Sequence, residues 1–231
     1  MKDLTALVLG GTGDVGEGIV RSFLKHEATV VVPSRAQTKL DALRDYAADI
    51  ETGTLKTLVG SLDTPDEAES LRSRIGDLTG HVDVIVAALG GWSQGYPITG
   101  VGFDLWQQIV RNNLTTHFLA VKTFVPLLAP KTGRYVHING QSAEGGHPGA
   151  GPVAAMSAAQ RSLALTLAEE LRPSELTVHE LLLPPVNTRR RISRHHDRPE
   201  WPTAEEVGDY VAGLVERNDR TVVHWIEPKT K

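Results

Sequence analysis

The chain contains no cysteine. That excludes disulfides, thiolate zinc sites, iron–sulfur clusters and cysteine nucleophiles together, and it is compatible with a reducing, cytoplasmic setting. A basic surplus is also missing. The 24 Lys and Arg residues face 28 Asp and Glu residues, a formal net charge of −4, which disfavours a general nucleic-acid binder. No apolar run approaches the roughly 18 residues of a membrane span before Gly, Pro or charge breaks it, so no membrane partner is expected. The start, Met1-Lys2-Asp3 followed by the short apolar run Leu4–Leu9, is too brief for a signal sequence, and no leader is expected. His195 and His196 are adjacent and cannot share one helix face, so no metal site is expected. The remaining composition, 40% hydrophobic and 23% charged over 231 residues, fits one ordinary domain over 1–231.

Apolar patterning alternates along the chain. Strands are expected at Leu4–Leu9, Thr29–Val32, Thr54–Val59, Val82–Ala88, Arg134–Ile138, Leu176–Leu183 and Thr221–Ile226. Between them, helical spacing covers Asp14–His26, Ala36–Ala48, a segment opened by Pro65, Phe103–Leu128, Val153–Leu171 and Thr203–Val215. Thr203 with Glu206 three residues later reads as a capping box. Seven strands alternating with six helices imply βαβ crossovers, hence an α/β fold with a doubly wound parallel sheet and helices on both faces. Arg189–Arg198 lacks apolar periodicity and reads as a loop.

The first strand runs into Gly10-Gly11-Thr12-Gly13-Asp14-Val15-Gly16 and then a helix. Glycines at a strand-to-helix turn let a pyrophosphate approach the backbone, and the helix start offers free N–H groups. The alternative is a tight turn with no ligand. Strand two ends at Ser34-Arg35, where an acidic residue would bind a ribose 2′-hydroxyl. A hydroxyl and a guanidinium suit a 2′-phosphate instead, so the expected cofactor is NADP(H). Otherwise Arg35 is a solvated residue at a helix start.

With these landmarks the chain resembles the short-chain dehydrogenase/reductase family over nearly its whole length. The glycines at 10, 13 and 16 are similar to an atypical family pattern, with Asp14 where the classical one has glycine. Asp83–Gly90 sits at the strand leading to the family's Asn-Asn-Ala-Gly, keeping Gly90 but with alanines for both asparagines. Asn113 matches the helix asparagine, Gly133–Ile138 the strand before the catalytic serine, Leu167–Leu171 the end of the catalytic helix. Pro185-Val186-Asn187-Thr188 is similar to the turn at the nicotinamide end, with Pro184 at the glycine's place. The resemblance implies a Rossmann domain and NADP(H) contacts that add Ser61, Leu62, Ala88, Gly90 and Thr188 to the glycine turn. It also implies a substrate lid over about 187–202, and a homodimer or homotetramer through helices 103–128 and 153–171.

The family's chemistry needs Ser, Tyr and Lys: the tyrosine passes a proton and the lysine lowers its pKa. Counting back from Leu171 places these on Gly140, Val153 and Ser157, and only Asn113 remains. Register does not rescue them. Four residues beyond Tyr46, Tyr96, Tyr135 and Tyr210 stand Ile50, Gly100, Asn139 and Leu214, and no lysine lies between Lys131 and Lys229.

Substitute chemistry is sought in Asn113, Ser142, His147 and Tyr96. Glu144 and His147 are close enough in sequence to form a pair, and Asn139 and Gln141 share their loop. Trp92, Ser93 and Gln94 follow strand four, while His137 reads as a structural, hydrogen-bonded residue. The ordinary reading of the 139–147 loop is polar surface. The arginine run reads either as a solvated loop or as a clamp for a small anionic ligand, with nucleic acid a distant third. Three functions follow: an atypical NADP(H)-linked oxidoreductase with another proton donor; a non-catalytic NADP(H)-binding sensor or regulatory protein; or a non-redox isomerase, lyase or cyclase on the same scaffold.

Overall fold

In a computed structural model describing residues 1–229, the apolar runs become seven parallel strands in one sheet, ordered β3-β2-β1-β4-β5-β6-β7. Thr230 and Lys231, the end of the expected 1–231 domain, lie outside the described residues. The strands are β1 Thr5–Leu9, β2 Thr29–Ser34, β3 Thr54–Val59, β4 Val84–Ala87, β5 Arg134–Gly140, β6 Thr177–Leu183 and β7 Val223–Trp225. Parallel strands covered on both faces have no wet side, which is why β1, β2 and β4 are almost wholly apolar. Alternate residues feed opposite layers. Val8, Val30, Val86 and Val136 pack beneath α1 (Gly16–Lys25), α2 (Gln37–Tyr46) and α8 (Ala204–Glu216), with Phe23 and Val211 wholly buried among them. Leu7, Val31, Ile85 and Tyr135 pack on the other face, under α3 (Pro65–Thr79), α5 (Thr116–Phe124) and α6 (Gly151–Leu171). Each such side chain stabilises the fold by about 1.5–3 kcal/mol, so the two layers hold the sheet.

The order reverses between β1 and β4, opening a crevice at the carboxyl ends of these strands. The glycine turn after β1 and the Leu89–Gly91 segment after β4 meet there.

Three expectations change. Helix 103–128 is broken: α4 (Phe103–Val110) passes through a π turn at Arg111–Thr115 into α5, then a 3₁₀ turn at Val125–Leu127 around Pro126. The wide turn frees the Asn113 side chain for bonds outside the helix ladder. The 189–198 loop contains a helix, α7 (Arg189–Ser193), whose start is capped by Thr188 Oγ1 accepting from Arg191 N at 3.2 Å. The described residues therefore hold eight α-helices, not six. The first helix starts at Gly16 rather than Asp14, leaving residues 10–15 as a turn. The Thr203–Glu206 capping box is present at the start of α8.

Candidate functional site

At the nucleotide end the backbone leaves no room for side chains. Gly10 has φ +82°, and a Cβ there would lie 2.1 Å from the Ala88 carbonyl oxygen. A Cβ on Gly16 would lie 2.1 Å from Gly10 O. Within the turn, Gly11 N donates to Val8 O and Gly13 N to Gly10 O. Among the described residues, the N–H groups of Thr12, Asp14 and Val15 donate to no protein acceptor. Three open amides at the start of a helix form an anion cradle. Thr12 Oγ1 donates to Ser34 Oγ at 3.3 Å, joining the turn to the end of β2.

Arg35 is 65% exposed at its side chain and donates to Asp63 at 2.9 Å. The two border a cleft of about 620 Å³ also lined by Gly60, Ser61 and Arg74. Ser61 thus lies on the same cleft wall as Arg35. Leu62, next in the chain, is half-buried and packs against the core layer under α3. Asp63, an acidic partner for Arg35, was missed.

The arginine run is fastened to the glycine turn rather than free. Arg189 grips Glu17 with two bonds, 3.0 and 2.6 Å, and lies over the Tyr46 ring at 4.2 Å. Arg190 Nη2 lies 2.5 Å from Asp14 Oδ2. Arg191 donates to Val186 O and lies over Trp201. Burial pushes the Glu17 carboxyl above its ordinary range, while Arg189 pulls the other way. Arg189 and Arg190 are therefore ion-paired across to Glu17 and Asp14, although their side chains stay largely exposed. Thr188 is buried at its base, its hydroxyl engaged in the α7 cap.

Asn113 sits in the π turn. Its Oδ1 accepts from Gly91 N at 2.7 Å, and its Nδ2 donates to Ile109 O. This bond holds the segment carrying Ala88 and Gly90 against α4. The Asn113 carbonyl accepts from Gln160 Nε2. On α6, the positions that the resemblance assigns to tyrosine and lysine are buried and neutral. Val153 packs with Ile109 and Met156. Ser157 Oγ accepts from Ser142 Oγ at 3.2 Å, and both are buried.

Behind them lies a polar core invisible to the motif search. Glu180, wholly buried on β6, accepts from His137 Nδ1 and from Asn139 Nδ2, the latter at 2.9 Å. Asn139 also donates to Ser157 O. The His137 ring meets that of His117 edge-on at 4.5 Å between centroids, and His117 Nε2 donates to Leu89 O. Burial holds His117 well below the usual imidazole range, hence neutral. His137 is thus buried and hydrogen-bonded, as expected. The signals were present: a lone carboxylate inside the apolar strand Thr177–Leu183, and a histidine one helical turn beyond Asn113.

The two loops at the carboxyl edge do meet. Gly95 N donates to Gly149 O at 2.9 Å, and Trp92 meets His147 edge-on at 6.1 Å. His147 Nδ1 donates to Gly145 O. Glu144 is not its partner: that carboxylate binds Arg161 at 2.6 Å and the Trp225 indole, and Arg161 holds it below its ordinary value. Tyr96 stands 55% exposed on the same loop.

A sequence profile described as short chain dehydrogenase matches residues 4–199. An uncharacterized oxidoreductase of Bacillus subtilis is 25% identical over 189 residues, spanning 81% of this chain and 70% of that one. A rhamnolipids biosynthesis 3-oxoacyl-(acyl-carrier-protein) reductase of Pseudomonas aeruginosa is 28% identical over 204 residues, 82% of this chain and 75% of its own. In fold, the chain is similar to a Pseudomonas aeruginosa protein solved as an NADP active-site complex, with TM-score 0.86 and 20% identity. That match covers 98% of this chain and 96% of the other. Among the described residues no helix is long and apolar enough to cross a membrane.

Proposed function

Since the chain belongs to the short-chain dehydrogenase family, we propose that it is an NADP(H)-linked oxidoreductase that takes its reaction proton from the 141–149 loop rather than from α6. The carrying observation is the open cradle of Thr12, Asp14 and Val15 amides at a turn where Gly10 and Gly16 admit no side chain. That cradle fits a pyrophosphate. Ser34 and Arg35 fit a 2′-phosphate, with Ser61 beside them and Asp63 as the anion Arg35 must leave. Ala88 stands against Gly10, Gly90 against Asn113 and Thr188 at the base of α7, and these would line the crevice along the rest of the dinucleotide. The Pseudomonas aeruginosa neighbour that carries NADP supports this reading. When bound, the cofactor supplies or accepts hydride.

The chain's own residues must then manage the proton. Val153 has no proton to give, and Ser157 is neutral and paired with Ser142. Asn113 serves as a positioning residue through Gly91. Of the groups at the carboxyl edge, His147 is the imidazole, the side chain type best suited to proton transfer near neutral pH. Trp92, edge-on to it, and exposed Tyr96 on the same loop as Trp92 would offer a small carbonyl or alcohol an amphipathic surface.

A second reading is favoured by the α6 packing: Val153, Ser157 and Gln160 present no titratable group, as in a protein that binds NADP(H) without turnover. NADPH consumption over a panel of aldehydes and ketones separates the two. Turnover that falls about a hundredfold or more in His147→Ala, with NADPH affinity retained, supports the enzyme. Binding with no turnover in the folded wild type supports the sensor. Phe118 on α5 is about half exposed, which supports association through the α5 and α6 helices.

A further inference from the structure

The glycine turn carries two carboxylates where a pyrophosphate is expected, and α7 supplies one arginine to each. The two pairs are not equivalent. Glu17 is nearly buried, is held by both arms of Arg189, and Arg189 is stacked on Tyr46. That pair is fixed. Asp14 and Arg190 are both exposed and joined by one contact, the kind of pair that exchanges partners readily. Asp14 also belongs to the stretch whose amides at 12, 14 and 15 are open. Its carboxylate therefore stands beside the cradle and repels the anion the cradle is built for, unless a cation neutralises it. α7 is itself well anchored. Thr188 caps it, Arg191 binds Val186 O, and Asn187 Nδ2 donates to the carbonyls of Arg198 and Trp201. Arg190 is thus carried on a fixed support beside the turn, with its guanidinium free to swing.

We propose that Arg190 is a pyrophosphate ligand and that Asp14 competes with the dinucleotide for it. This rests on the NADP(H) reading and adds a lid residue to the binding site. A guanidinium prefers a phosphate, which it can meet with two parallel bonds, over a single exposed carboxylate contact. The Asp14 carboxylate then sets affinity: it lowers binding by occupying Arg190 and by its own charge.

The test is calorimetric titration of NADPH into the wild type, Asp14→Ala, Arg190→Ala and the double variant, with 2′-AMP as a ligand lacking the pyrophosphate. Thermal melts confirm that the variants fold. Asp14→Ala should tighten NADPH binding severalfold. Arg190→Ala should weaken it severalfold, and by a larger factor, about tenfold, when Asp14 is already alanine, because there the arginine gives up no carboxylate contact to reach the phosphate. 2′-AMP affinity should be indifferent to Arg190. If Arg190→Ala has no effect in the Asp14→Ala background, the arginine serves only its carboxylate, and this proposal falls while NADP(H) binding stands. Equal losses for 2′-AMP and NADPH would show a general charge effect and also overturn it. No NADPH binding by either the wild type or Asp14→Ala removes the nucleotide reading and this proposal together.

Discussion

The two ends of the crevice have been treated differently. At the β1–α1 end, the features that a phosphate requires are present: a strained glycine at 10, a close approach at 16, three open amides, and a basic residue at 35. At the β5–α6 end, the positions that the resemblance assigns to the proton-moving groups are buried and packed. Val153 joins an apolar cluster, Ser157 pairs with Ser142, and Gln160 takes the Asn113 carbonyl. Polar residues remain plentiful at the second end, but Glu180, His137, Asn139 and His117 are buried and bonded to each other or to backbone. The lesson is that polarity near this end of the sheet is not catalytic capacity. What matters is whether a titratable group faces the crevice, and on α6 none does.

The comparison can be broken most forcefully at Glu180. Glu180→Ala leaves His137 and Asn139 buried without their shared acceptor, and should cost about 3–5 kcal/mol of stability in urea unfolding. If that variant is as stable as the wild type, the buried cluster is not structural and the contrast between the two ends fails.

Acid sharpens the same contrast. Burial holds His179 down to about 4 and His117 lower than its ordinary range. Both are neutral when folded, whereas the unfolded chain takes up protons on them below about pH 6.5. Stability is therefore full above that pH and falls as pH drops toward 4, by roughly 3 kcal/mol for His179 alone. His179→Asn should flatten the pH dependence of the unfolding midpoint over this window. An unchanged slope would mean that the imidazole is not held neutral.

At the nucleotide end, Arg35→Ala should weaken NADPH binding by about tenfold and leave NADH nearly unaffected, read by calorimetry. A parallel loss for both nucleotides would remove Arg35 from the 2′-phosphate. The smallest effect is expected on α6. The double variant Ser142→Ala, Ser157→Ala removes both partners of one hydrogen bond and should change turnover or NADPH affinity by no more than about threefold. A large loss of turnover in Ser157→Ala alone would return the chemistry to α6.

The fold was legible because buried parallel strands must be apolar runs and crossover helices must be amphipathic: the runs Val82–Ala88 and Thr29–Val32 announce themselves, although the second strand continues through Pro33 to Ser34. Breaks were harder. Nothing in the periodicity of Phe103–Leu128 marks a π turn, because the turn is set by what Asn113 bonds outside the helix. The glycine turn was legible because φ and close approach restrict residue type. The lid was not. A run of arginines looks solvated until Asp14 and Glu17, about 175 positions away, are brought beside it by topology. Glu144 and His147 were the converse case: neighbours in sequence, drawn apart by Arg161 and Trp92.

The most direct test is a pair of calorimetric titrations of the wild-type protein, NADPH and then NADH, at the same low ionic strength. The expected result is NADPH binding at least about tenfold tighter than NADH, from the phosphate bonds that only the former can make with Arg35 and Ser34. Equal affinities, or no binding of either, would contradict the claim that this chain has kept its nucleotide end while its α6 site has been filled in.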